Sequence, residues 1–242
     1  MTLVQLIFKN AIRGTVTLFS VTELRIAGLK TMIFRSLIKQ MKTAISRSLD
    51  YVIDSSLGID AGGVLLQSQM RYEGTDFHPY HPVSWNGLRR IFETVPISCE
   101  DVFVDVGCGK GRPLIAALQK PFRKVIGIDL SPEMCQKARE NVERFCTKHQ
   151  IDPTRAEVIH TNALEYTFPP EVKCILIYCP FGESSTREFL RRLSDASPVG
   201  CVRHIIAINP CFMDSIYDSF DTTVVATWGG GWYRIFRVEK KA

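Results

Sequence analysis

The chain has 242 residues, 45% of them hydrophobic, enough for the core of one α/β domain with an extension. No stretch of eighteen uncharged apolar residues occurs, which argues against a spanning helix. The net charge of +5 is uneven: residues 1–50 hold eight Lys and Arg against Glu23 and Asp50, a balance of +6, which leaves the remainder near −1. Nucleic acid is therefore not an expected partner of the larger part, where no basic stripe with interleaved aromatics stands out.

From Val21 to Leu49 the apolar residues Ile26, Leu29, Ile33, Leu37, Met41, Ile45 and Leu49 recur at spacings of three and four, with basic residues mostly between them. Residues 1–50 are expected to form a basic, amphipathic helical arm. Three readings stand for it: a helix packed on the main domain, a helix on a membrane surface or another anionic partner, or a cleaved targeting peptide. Residues 51 to about 85, rich in Gly, Pro, Asp and aromatics, read as irregular ordered loops around a site. "SWNGLRRIFETV" follows as a helix with Ser84 at its N-cap. Residues 51–98 thus read as a loop-and-helix cap over the site.

From residue 101 the rhythm is strand, turn, helix. "DVFVDVG", "KVIGIDL", "AEVIHTN", "KCILIYCPF" and "VRHIIAINP" read as strands. Between them lie helices, the longest capped by Ser131 with Pro132 in its first turn. "DTTVVATW", three glycines and "WYRIFRVEK" make a terminal hairpin. The expected fold is α/β: a doubly wound, mostly parallel seven-stranded sheet with a C-terminal antiparallel hairpin, plus a helical N-terminal extension. The eight cysteines are Cys99, Cys108, Cys135, Cys146, Cys174, Cys179, Cys201 and Cys211. They form no CxxC pair, so no metal site is expected, and scattered free thiols suit a reducing, cytoplasmic setting.

The chemistry concentrates in "VDVGCGKGR", residues 104–112. Glycines between a strand and a helix let a ligand approach the backbone. A dinucleotide fingerprint needs glycine three residues after the second one, where this chain has Arg112. A phosphate loop needs Gly-Lys-Ser/Thr, and Gly-Lys-Gly lacks the hydroxyl. Asp105 at the strand end repels a pyrophosphate and attracts a cationic amino group.

"VDVGCGKGR" followed by "VIGIDLS" resembles the first motif and its partner in class I S-adenosylmethionine-dependent methyltransferases, over roughly residues 100–242. With its preceding Tyr/His-Pro segment the chain looks like a bacterial group of that family whose acceptor is unassigned. The resemblance implies a Rossmann-like domain over residues 99–242 with S-adenosylmethionine as cofactor. It implies that Gly107, Cys108, Gly109 and Gly111 wrap the methionine portion and that Asp105 meets its amino group. Asp129, followed by Leu130, would take the ribose hydroxyls. Asn162 and Ala163 stand where the family contacts adenine, with Asn in place of the usual acid. After the fourth strand, Tyr178-Cys179-Pro180-Phe181 keeps the Pro-Phe of the amino-group methyltransferases but lacks their amide or acid. Phe181 is expected beside cofactor or acceptor.

The acceptor is expected to be a small molecule or protein. Tyr178, His81, Glu183 and Tyr80 are the candidates for general base. Tyr80 and Trp85 could close over the cofactor, and Lys110 and Arg112 either meet an anionic acceptor or stay solvated. Two other classes remain open on the residues alone: a nicotinamide-dependent oxidoreductase, and a non-catalytic cofactor-binding or membrane-associated protein.

Overall fold

A computed structural model describes residues 21–63, 80–196 and 202–241. The chain divides into two compact units, Met1–Ser48 and Leu49–Ala242. The region expected as a cap, residues 51–98, belongs to the same unit as the sheet.

Helix α1 spans Val21–Leu57. It runs eight residues past Leu49, so the expectation that residues 51–57 are irregular is corrected. The stop signal is Gly58, at φ +78°, which turns the chain in the left-handed region. The amide of Ile59 then donates to the Asp54 carbonyl (3.0 Å) and that of Gly58 to Ser55 (3.1 Å), so the last carbonyls are not orphaned. In the first unit the described side chains of α1 are almost all exposed. Among the described residues no helix is long and apolar enough to cross a membrane.

The second unit is built on a seven-stranded sheet. Helix α2 (Trp85–Thr94) precedes it, and the Ser84 hydroxyl accepts from the Gly87 amide as an N-cap. Then come β1 (Val102–Val106), α3 (Arg112–Leu118), β2 (Lys124–Asp129), α4 (Pro132–His149), β3 (Ala156–His160) and β4 (Val172–Ile177). Helix α5 (Glu183–Ala196), β5 (His204–Ile208), the short α6 (Ile216–Ser219), β6 (Phe220–Trp228) and β7 (Tyr233–Lys240) complete it. The strand order is β3-β2-β1-β4-β5-β7-β6, parallel through the first five and antiparallel at β7, as expected. Ser131 caps α4, its hydroxyl accepting from Met134.

Both faces are covered. Phe103, Val125, Leu176 and Ile206 face the layer of α2, α3 and α4, while Val104, Ile126, Ile175 and Ile205 face α5 and α6. The alternation is the period-two pleat of a strand, and it places Asp105 on the same side as Phe103.

One buried cation ties this layer together. Arg112, first residue of α3, is 2% exposed. Its guanidinium forms a two-pronged ion pair with Asp54 near the end of α1, with Nε donating to Oδ1 at 3.1 Å. Nη1 donates to the Val83 carbonyl (2.8 Å) and lies 3.8 Å from the Asp50 carboxylate. The Trp85 indole N–H also donates to Asp54 (2.8 Å), and the Trp85 amide to Asp50 (2.9 Å). Arg112 is therefore neither solvated nor available to an acceptor, and Trp85 is packed inside instead of closing over a ligand. Desolvation outweighs the nearby cation at Asp50 and raises its pKa.

Removing one partner of such a pair leaves a buried charge alone, which costs roughly 3–5 kcal/mol. Arg112→Ala is expected to destabilise the fold by about that amount, and Arg112→Ala with Asp54→Ala by less than the sum of the two single changes. Urea unfolding of the four proteins measures this. Strictly additive costs would show that the pair is not coupled.

Candidate functional site

The site lies at the carboxyl ends of β1 and β2, where the residues expected to hold a cofactor converge. Gly107, Gly109 and Gly111 all have positive φ (+76°, +51° and +84°), conformations that L side chains rarely adopt. The amides of Gly107 and Cys108 donate to the Ile128 carbonyl (2.9 and 3.0 Å), which pins the loop to the end of β2. That pinning brings Asp129 under the loop. Its Oδ2 accepts from the Gly109 amide (2.8 Å) and its Oδ1 from the Ser131 amide (2.9 Å). Each carboxylate oxygen keeps a further lone pair for another donor. Burial raises the Asp129 pKa against the lowering effect of those amides.

Asp105 is 1% exposed, and its Oδ2 finds no hydrogen-bond partner among the described residues. Burial, then the neighbouring Asp129, push its pKa well above the carboxylate range. An orphaned buried acceptor is costly in a finished fold, so it marks a place for a donor supplied from outside. Two carboxylates at one loop disfavour a phosphate and suit a cation bearing N–H donors. Cys108 is buried, and a Cβ at Gly127 would meet its sulfur at 2.9 Å, so the thiol packs on β2 while its backbone serves the loop. Burial holds that thiol protonated.

A bracket reaches over the loop from the cap. The Asn141 side chain of α4 pairs with both backbone groups of Asp60 (2.9 and 3.1 Å) and also donates to the Lys110 carbonyl (2.9 Å). Lys110 Nζ donates to the Gly62 carbonyl (2.7 Å), so this half-exposed side chain ties the loop to the cap. The Tyr80 hydroxyl donates to the Ala61 carbonyl (2.8 Å). Its ring lies so close to Gly109 that a Cβ there would be 2.2 Å from Tyr80 Cε2. Tyr80 closes over the loop and Trp85 does not. Asp50, Asp54 and Asn141 were not among the expected site residues. Their signal was the i, i+4 pair Asp50/Asp54, conspicuous after a helix otherwise poor in acids.

At the next two strand ends, Cys179 and Asn209 adopt positive φ (+39° and +49°). Such conformations in non-glycine residues cost on the order of 1–3 kcal/mol and collect at functional edges. The Cys211 thiol contacts Asn209 Oδ1 at 3.3 Å. Tyr178 precedes this bend, and burial raises the pKa of its phenol to about 12. His81 is exposed beside Pro82, and Glu183 is exposed in the first turn of α5, 3.8 Å from Arg187. No hydrogen bond among the described residues joins Tyr178, His81 and Glu183. Phe181, expected at the ligand, is 4% exposed and packs on Phe189 with ring centroids 5.7 Å apart.

On the other side of the loop, the Leu130 carbonyl contacts His160 Nε2 (3.0 Å). Asn162 Oδ1 accepts from the Leu164 amide (3.0 Å), an Asx turn that leaves the carbonyl a second lone pair. Ala163 follows it and lines a cavity of about 360 Å³ with Tyr166, Phe168 and Arg192. Among the described residues no cluster of His, Cys, Asp or Glu could hold a metal ion.

Residues 103–197 match a family model described as a methyltransferase domain. Among curated proteins, the ribosomal protein L11 methyltransferase of Vibrio campbellii is 36% identical over 114 residues, 43% of this chain and 37% of that protein. A protein-lysine N-methyltransferase of Saccharolobus islandicus is 35% identical over 68 residues, 27% of this chain and 42% of that one. The chain thus spans less than half the length of these relatives. Among solved structures, an RNA methyltransferase from Salinibacter ruber in complex with S-adenosyl-L-homocysteine superposes with a TM-score of 0.50 at 18% identity, over 67% of this chain and 95% of that one, a likeness of fold. With the glycine loop, its two carboxylates and the β3-β2-β1-β4-β5-β7-β6 sheet already in place, residues 103–197 are thus similar to a methyltransferase domain.

Proposed function

We propose that this protein binds S-adenosylmethionine at the 107–111 loop and transfers its methyl group to a small-molecule or protein acceptor. The observation that carries the reading is the buried, partnerless oxygen of Asp105 under three left-handed glycines. The cofactor's ammonium group would satisfy that oxygen. A nicotinamide dinucleotide would instead bring a pyrophosphate against two carboxylates, with Arg112 already committed to Asp54.

When bound, S-adenosylmethionine supplies a methyl group already activated on a sulfonium. What remains for the protein is to hold two reactants in line, which is worth several kcal/mol of barrier. Asp129 would hold the ribose hydroxyls with the lone pairs its amide contacts leave free. Asn162 and Ala163 would border adenine, and Tyr80 would exclude water from the methionine side. Tyr178 would donate to the acceptor or orient it, and exposed His81 and Glu183 are the groups available to take its proton. The near-neutral charge of residues 51–242 supports a protein or small molecule over nucleic acid. The two curated relatives named above modify proteins, by their names.

Two measurements test the site. Asp129→Ala is expected to weaken S-adenosylmethionine binding by about 100-fold or more, from the loss of two charge-assisted hydrogen bonds of about 1.5–3 kcal/mol each. Calorimetric titration, with the fold checked by circular dichroism, reads this. Unchanged affinity, or tight binding of NAD(P)H in its place, would overturn the reading.

Asp105 gives a pH signature. Its raised pKa stabilises the free fold at low pH, and this is lost as pH rises from the ordinary carboxyl value through the raised one. Asp105→Asn is therefore expected to raise the Tm of the free protein at neutral pH. An ammonium partner requires the ionised carboxylate, so binding releases a proton and tightens with rising pH. Titrations in buffers of different ionisation enthalpy should show the proton release in the parent and not in Asp105→Asn.

A further inference from the structure

Helix α1 carries a row of large apolar side chains that nothing among the described residues covers. Phe34, Ile38, Met41, Ile45, Leu49 and Val52 range from 36% exposed at Ile38 to 64% at Phe34. At about 100° per residue they fall within an arc of roughly 80°, over a length of about 27 Å. Exposed apolar groups scattered over a surface need no explanation, but a contiguous row marks an interaction face.

We propose that this row seats α1 in the plane of an anionic lipid bilayer. Three observations select that occupant. First, the spacing is 4, 3, 4, 4, 3, so Val52 returns to the angle of Phe34 after five turns. The row is straight at the natural helical period, whereas a seam for a second helix follows 3.5 residues and drifts by about 20° per heptad on a straight helix. A straight row fits a flat surface.

Second, between Glu23 and Asp50 the sequence has six basic residues and no acid. Exposed Lys42 stands at the border of the row, where a long basic side chain reaches lipid phosphates while the apolar residues enter the acyl boundary. Third, no described helix qualifies to cross the membrane, so the helix lies on the bilayer and does not span it. The proposal is independent of the acceptor and of the cofactor site.

The test is sedimentation of the full chain with vesicles of phosphatidylcholine alone and of phosphatidylcholine with one third phosphatidylglycerol. Partitioning onto the anionic vesicles is expected to be at least about tenfold stronger, from about 1 kcal/mol per basic residue near the surface, and to fall with added salt. Met41→Asp with Ile45→Asp, both at exposed positions, is expected to lower it at least about tenfold with helicity and S-adenosylmethionine affinity unchanged. Lys42→Glu with Arg35→Glu should weaken binding to the anionic vesicles alone. Equal binding by the Met41/Ile45 variant, or no binding to either vesicle, would overturn the proposal. So would a concentration-dependent dimer in sedimentation equilibrium that the same variant abolishes, since the row would then belong to a second copy.

Discussion

The Arg112–Asp54 ion pair is the constraint on which the site depends. Arg112 begins the helix that follows the glycine loop, and Asp54 lies in the last turn of α1. A charge buried to this extent is tolerable only when paired and hydrogen-bonded, and here the carboxylate takes the guanidinium fork and the Trp85 indole together. The pair thereby fixes where residues 59–63 and 80–85 lie. From those positions come the Gly62 carbonyl for Lys110, the Ala61 carbonyl for Tyr80, and the Tyr80 ring on Gly109.

The loop itself is held by backbone more than by side chains. Three left-handed glycines, two amides on Ile128 and one on Asp129 leave its shape little freedom. The expense of this arrangement is concentrated in Asp105, whose carboxyl is buried without a partner. The other polar side chains of the loop are satisfied: Asn141 uses its carbonyl and both its amide hydrogens on Asp60 and Lys110, and Asp129, the neighbour of Asp105, uses both oxygens. One acidic oxygen left over where the other loop side chains are satisfied is a cost to the free fold, and it is the feature on which the proposed cofactor site rests.

Much of this was legible in the sequence because it is local. The strands stand out as β-branched runs, Ser84 and Ser131 read correctly as caps, and the hairpin announced itself through three glycines. Gly107, Gly109, Gly111, Asp105 and Asp129 are found by spacing, since the strand–turn–helix unit brings neighbours in sequence together in space. What stayed hidden depends on distant partners. The Arg112–Asp54 pair joins residues 58 apart, and nothing near Arg112 foretells it. The sequence signals for the end of α1 fall too early because the Gly- and Asp-rich stretch after Leu57 makes the preceding turns look irregular. Phe181 has the composition of a ligand-lining residue, but its neighbour Phe189 lies on another element. The acceptor-side residues are the least legible, as loop positions depend on the whole sheet.

The strand order has a consequence for how the sheet is completed. β7 follows β6 in sequence but lies inside it in the sheet, between β5 and β6. β6 therefore joins the sheet only through β7. Until Tyr233–Lys240 pairs with it, the edge of β5 is open, with Ile205 and Ile206 on it. Folding must hold that edge from pairing with another chain for the whole interval, which makes completion of the sheet a late, non-local event. The stacked pair Trp228 and Tyr233, at the same end of the sheet as Tyr178, closes the hairpin that covers this edge.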